Sequence, residues 1–171
     1  MAVRRILQLG DPLLRQASCP VSDFSLARRI FNDLEDTLHE FQRTWGFGRG
    51  ISAVQIGELQ RLIYLEFEGV RYQLVNPQLD WLSEEQFELW DDCFSFPHLL
   101  VRLRRSYAVR LRYVDSEGNP QRLEASGALS ELLQHEMDHL DGILAIDRAI
   151  DSNSFCTREE FERRYRPRDN S

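Results

Sequence analysis

The segment QHEMDHLDG, residues 134 to 142, sets His135 and His139 four positions apart, so on a helix both imidazoles project from one face, about one turn from each other. Two imidazoles placed in this way can share one metal ion. Glu136, next to His135, stands where a carboxylate can take a proton from water beside that ion, which is the arrangement of metal-assisted hydrolysis. The plain alternative is a surface helix rich in His, Glu and Asp, but an apolar stripe of Leu129, Leu132, Leu133, Met137 and Leu140 runs along the same segment. Catalytic sites usually combine three protein ligands with one open position, so a third ligand is required. The candidates are a downstream carboxylate, Glu159, Glu160 or Glu162, or Cys93 in WDDCFSFP. Alone, Cys93 reads as a buried structural thiol; beside the histidine pair, it reads as a ligand. One thiolate and two imidazoles suit zinc, iron(II), nickel or cobalt, and the ligand types do not choose among them. Asp138 reads as a solvated helix position, with orientation of a metal ligand from behind as the minority reading, and His39 and His98, with no partner at ligand spacing, as non-catalytic.

These residues need elements to hold them. Apolar residues Leu26, Ile30, Leu34, Leu38, Phe41 and Trp45 recur at helical spacing, predicting a long amphipathic helix from about Ser22 to Trp45, stopped by Gly46. After the glycine-rich GFGRG come the short runs RLIYLEF, RYQLVN before Pro77, EQFELW, LLVRLRR, YAVRLRYV and QRLEA, with a turn at EGNP; these predict mainly antiparallel strands. Helical period returns from about Ser126 to Leu140, with Gly142 just past the end. Thr157 and Glu160 have capping-box spacing, so TREEFERRY predicts a short terminal helix, followed by a basic, mobile tail in ERRYRPR. Helix, many strands, then helix indicates an α+β fold: a mainly antiparallel sheet around the central His135 helix, in one domain spanning 1–171.

The 171 residues are enough for one domain with a substantial core. All 21 basic residues are arginine, which removes lysine Schiff-base chemistry and the phosphate-binding loop. A net charge of -7 argues against DNA as a ligand. No apolar run approaches a membrane span and no signal sequence is evident, so no membrane partner and a cytoplasmic address are expected. Cys19, Cys93 and Cys156, odd in number and widely spaced, read as reduced thiols. Arg102, Arg104, Arg110 and Arg112 alternate with apolar residues and read as one solvated strand face, with a transient ribosome contact as the minority reading.

Three segments in order, GRGISAVQ at 48 to 55, DDCFS at 91 to 95 and QHEMDHLDG at 134 to 142, together resemble the peptide deformylase family. The resemblance covers about residues 4 to 150, starting with ILQLGDPLLRQASCPV. It implies a mononuclear hydrolase that removes the formyl group from the N-terminus of a new polypeptide, releasing formate. By matching positions, Cys93, His135 and His139 would hold one divalent ion, commonly iron(II) in this family. Glu136 would be the acid/base, and Gln55 with the backbone N–H of Phe94 would stabilise the oxyanion. Gly48 and Gly50 would belong to the substrate-binding edge, with Gly50 letting a peptide backbone pair there as an added strand.

The chain departs from the family pattern at Asp91 and Asp92, where the middle motif has Glu-Gly. Asp91 keeps the charge with less reach. Asp92 adds a side chain beside the ligand and substrate path, costly at any positive φ, and adds negative charge near the ion. Arg49 and Glu131 stand in the pocket for the first side chain, where the family usually carries aliphatic residues and receives methionine. They are expected either to pair across the pocket or to present charge to the substrate, so that methionine is no longer the best first residue; the alternative has both pointing to solvent. Two rival functions follow: an HExxH metalloprotease with a C-terminal glutamate as third ligand, and a deformylase-like protein that binds metal or formylated chain ends without turnover.

Overall fold

The computed structural model describes residues 2–165. Residues 166–168 of ERRYRPR, and with them the expected tail, lie outside the described residues. The first long element is helix α1 (Phe24–Trp45), which begins two residues later than the apolar period suggested. Asp23 is its cap: Oδ1 accepts hydrogen bonds from the N–H groups of Ser25 (2.8 Å) and Leu26 (3.2 Å), satisfying donors that the first turn leaves open. Gly46 ends it in the left-handed conformation, φ 76°, which costs a glycine little.

Eight strands follow: β1 (Gly50–Ser52), β2 (Leu62–Phe67), β3 (Val70–Leu82), β4 (Gln86–Asp92), β5 (Leu99–Ser106), β6 (Ala108–Val114), β7 (Pro120–Ser126) and β8 (Phe155–Thr157). Instead of the single sheet expected they form two antiparallel sheets, one in the order β1-β2-β3-β6-β7 and one in the order β4-β5-β8, because β3 pairs onward with β6 and leaves β4 to pair with β5. Strand β3 does not end at Pro77. Its register with β6 shifts between Val75 and Gln78, and Pro77, which has no N–H to give a ladder, sits in that irregularity. Asn76 takes φ 51° there and is held by Val21 through both main-chain groups, at 2.7 and 2.9 Å.

Helix α2 (Gly127–Leu140) contacts β1, β2, β6 and β7 of the larger sheet and β5 of the smaller one, so both sheets hold it. One apolar cluster joins α1 to β1 and β2, a second joins α2 to β2, β3 and β6, and a third surrounds Cys93 with Leu14, Val101, Leu103 and Leu144. Past the end of α2, Gly142 has φ 73°, and a Cβ there would lie 2.5 Å from the Arg15 carbonyl oxygen, so the chain passes too close for any side chain. Helix α3 (Arg158–Tyr165) is short and capped by Thr157, as its spacing suggests. Among the described residues, no helix is long and apolar enough to cross a membrane.

The arginine pattern needs correcting in two respects. Arg102 and Arg104 are on β5 while Arg110 and Arg112 are on β6, in different sheets, so they are not one face. Arg105, in the same run, is buried.

Candidate active site

Strand β4 delivers Cys93 just past its end, and α2 delivers His135 and His139, one turn apart on its inner face. The His139 Nε2 lies 3.2 Å from the Cys93 sulfur and 3.2 Å from the His135 Nε2. All three groups are buried, with ligand atoms within 4.8 Å of one another. Glu159, Glu160 and Glu162 lie on α3, and among the described residues none of them joins this group; Glu160 instead pairs with Arg163 and Arg164. A C-terminal glutamate is therefore not the third member.

The donor set fits a divalent ion. Asp91 accepts the His135 Nδ1–H at 2.9 Å, which fixes that ring's orientation and turns its Nε2 toward the cluster; burial opposes protonation of the ring, but the Asp91 carboxylate raises it well above its usual range. Burial, reinforced by the neighbouring His135, pushes the His139 imidazole well below its usual range, so it is neutral with a lone pair to give. One thiol and two imidazole nitrogens thus converge, shut away from water, and with their protons released they are a donor set that a divalent ion takes.

Asp91 has reach enough despite its shorter side chain. Burial opposes its ionisation, but the His135 ring and the Arg105 guanidinium, 3.2 Å from Oδ2, hold its carboxyl below the ordinary range. Arg105 also binds Asp138, which is not solvated as its helix position suggested: it is buried and gripped by Arg148 as well, at 2.6 Å through Nη2. His39 also differs from the expectation of a histidine without partners. It bonds Glu66 at 2.8 Å, with Glu35 nearby, and Arg71 pairs with both carboxylates.

Glu136 is buried beside His135, and its Oε2 accepts the Ser52 hydroxyl. Burial raises its carboxyl above the usual range, with His135 and Ser52 pulling the other way. Gln55 lies in a single 3-10 turn, Ala53–Ile56, directly after β1. Its Oε1 accepts the Ser52 N–H at 2.9 Å, which turns Nε2 toward Ser95 Oγ (3.3 Å) and the Cys93 sulfur (3.6 Å). The segment before the first turn stitches these loops together: Leu7 N–H bonds Gln55 O and Leu9 N–H bonds Ser95 O, both at 2.8 Å, and the Gln8 amide bonds Phe94 O at 3.1 Å. Sequence reasoning gave that segment no role, and its only signal is its place in the family resemblance.

A cavity of about 450 Å³ brings these groups together with Gly48, Arg49, Gly50, Asp92 and Glu131. Gly48 has φ 125° and a Cβ there would strike the Phe94 ring at 2.4 Å, while one on Gly50 would meet Leu65 at 2.5 Å and Glu136 Oε1 at 3.1 Å. Gly48 is therefore required by its backbone conformation, while a side chain at Gly50 would displace the ends of Leu65 and Glu136. Asp92 carries no backbone strain, because among the described residues only Glu68 and Asn76 have positive φ without being glycine. Its carboxylate is held at 2.8 Å by Arg158, whose guanidinium also lies 3.9 Å over the Phe47 ring. Arg49 and Glu131 do not point separately to solvent: they form an ion pair in the cavity wall.

The model of the family described as polypeptide deformylase matches residues 3–154. A peptide deformylase of Parafrankia sp. is 43% identical over 150 residues, which cover 86% of this chain and 79% of the relative. Among solved structures, the peptide deformylase of Thermotoga maritima superposes with a TM-score of 0.83 at 28% identity, covering 88% of this chain and 100% of that one. The peptide deformylase of Synechococcus elongatus, solved in complex with actinonin, gives 0.82 at 30% identity, covering 92% of this chain and 84% of that one. With its α+β fold, its buried Cys93, His135 and His139 and these relatives, the chain belongs to the polypeptide deformylase family, hydrolases that remove the N-terminal formyl group from nascent polypeptides.

Proposed function

We propose that Cys93, His135 and His139 hold one divalent ion and that Glu136, Gln55 and the Phe94 backbone N–H carry out formyl hydrolysis around it. When bound, the ion supplies a Lewis acid that lowers the pKa of water and polarises the formyl carbonyl. Glu136, its pKa raised by burial, accepts the proton of the attacking water and delivers it to the departing nitrogen, leaving formate and a free amine. Gln55 Nε2 and the Phe94 N–H donate to the formyl oxygen as negative charge builds on it. Asp91 holds the His135 ring in one tautomer and orientation. The substrate backbone lies along β1, the end strand of its sheet, where Gly50 has no side chain to obstruct it.

The chain works as one unit over 1–171 on formylated peptide ends. Iron(II) is the ion expected in the cell, with zinc, nickel or cobalt able to replace it. The cytoplasm is the compartment that fits this substrate, and a transient ribosome contact would draw on the exposed Arg110 and Arg112 of β6.

The observation that carries this reading is the approach of one thiol and two imidazole nitrogens to within 4.8 Å of one another, with Cys93 and His135 lining a cavity shared with Glu136 and Gln55. After anaerobic iron(II) or nickel loading, the protein is expected to hold about one ion per chain and to release formate from formyl-Met-Ala-Ser. Cys93→Ser should lose both the ion and the activity. Unchanged metal content in that variant would remove Cys93 from the ligand set.

A further inference from the structure

Four carboxylate side chains, Asp91, Asp92, Glu131 and Glu136, line the cavity, and among the described residues Arg49 supplies its one guanidinium. The counter-charges differ in how firmly they are held. Asp91 is neutralised by Arg105, whose side chain is 2% exposed, and Asp92 by Arg158, which is 19% exposed and pinned by a second bond of 2.6 Å to the Pro97 carbonyl. Glu136 has the Ser52 hydroxyl. Glu131, with a side chain only 7% exposed, depends on Arg49, which is 43% exposed and otherwise anchored by a single 3.4 Å bond to the Ala128 carbonyl. Glu131 is thus a buried carboxylate whose partner is the most solvent-exposed of the arginines that pair with the cavity's carboxylates.

Its position makes that pairing relevant to the substrate. Glu131 lies one turn before His135 on the same face of α2, so their Cβ atoms are roughly 6 Å apart. A formyl carbon beside Glu136 puts the first side chain of the peptide only a few bonds away, within the same cavity. An apolar side chain entering there meets an ion pair and satisfies neither member. A donor-bearing one can replace Arg49 on Glu131, and a cationic one does so without leaving a buried charge unpaired.

Resting on the deformylase reading above, we propose that Glu131 selects the first residue of the substrate, favouring a cationic or amide side chain over methionine, with Arg49 holding its place in the free enzyme. Burial raises the Glu131 carboxyl above its usual range, Arg49 opposing, which agrees with a group that gains from a better donor.

The test compares kcat/KM of the metal-loaded enzyme on formyl-Arg-Ala-Ser, formyl-Gln-Ala-Ser, formyl-Met-Ala-Ser and formyl-norleucine-Ala-Ser, alongside affinities of the four deformylated products measured by calorimetry. Arginine should exceed norleucine by about tenfold or more in both series, the size of one charge-assisted hydrogen bond. Glu131→Leu should reverse the order, and Glu131→Gln, which keeps the shape if the leucine variant misfolds, should remove the preference for arginine over glutamine. Arg49→Leu should strengthen the arginine preference. A wild-type preference for methionine or norleucine, or an order that neither Glu131 variant alters, overturns the assignment. Formate release from none of the peptides overturns the hydrolytic reading instead, and the product affinities then decide the role of Glu131 by themselves.

Discussion

Helix α1 buries Ala27, Ile30, Leu34, Leu38 and Phe41 against apolar neighbours, whereas α2 buries Glu131, Gln134, His135, Glu136, Asp138 and His139. In α1 stability comes from area removed from water, which is nearly indifferent to the identity of the covering group. In α2 five of these six buried polar side chains have a counterpart from elsewhere in the chain, while the His139 Nδ1 has no hydrogen-bond partner. Arg49 meets Glu131, the Ser106 main chain meets Gln134, Asp91 meets His135, Ser52 meets Glu136, and Arg105 with Arg148 meet Asp138. Such a network tolerates loss of a partner poorly, because the group left behind is dry and unpaired. The catalytic helix is therefore positioned by matching added to packing, and the long helix mainly by packing.

The sharpest way to break this contrast is Arg105→Met, which leaves Asp91 and Asp138 buried without a shared counter-charge. We expect a stability loss of about 4 kcal/mol in urea unfolding. Metal affinity should fall by roughly ten- to a hundredfold, because Asp91 can no longer hold His135 firmly. A loss below about 1 kcal/mol would mean that the network stabilises little. Leu34→Ala, fully buried in α1, should cost about 3 kcal/mol by transfer and cavity terms while leaving kcat/KM of the folded enzyme unchanged. A change in activity there would show that α1 does more than pack. The smallest effect sharpens the same contrast: Asp23→Ala removes the cap of α1 and should lower the unfolding free energy by about 1 kcal/mol, with metal content intact.

Much of this was legible before any coordinates. The α1 periodicity and its glycine stop, the runs that form β2 to β7, and the pairing of His135 with His139 all depend on near neighbours in the chain, which a sequence displays directly. Asp138 was misread because its partners, Arg105 and Arg148, lie 33 and 10 residues away, and a helix position with no visible partner looks solvated. Arg105 escaped notice for a related reason: in the run LLVRLRRSYAVRLRY it has the same chemistry as its exposed neighbours, and only tertiary placement separates it from them. His39 has Glu35 at helical spacing but gives its hydrogen bond to Glu66 on β2, across the interface between helix and sheet. Pro77 looked like a strand end because the irregularity that accommodates it is defined by pairing with β6, far along the chain.

The bonds from Leu7, Gln8 and Leu9 to the main-chain oxygens of Gln55, Phe94 and Ser95 have a consequence for biosynthesis. These residues leave the ribosome before the groups they secure, Phe94 being 86 positions downstream of Gln8. Until that stretch emerges these particular bonds have no acceptors, and such distant pairings are slow to form. Competence is thus a late event in this molecule's own synthesis, and a stalled fragment that lacks the second half cannot cut prematurely.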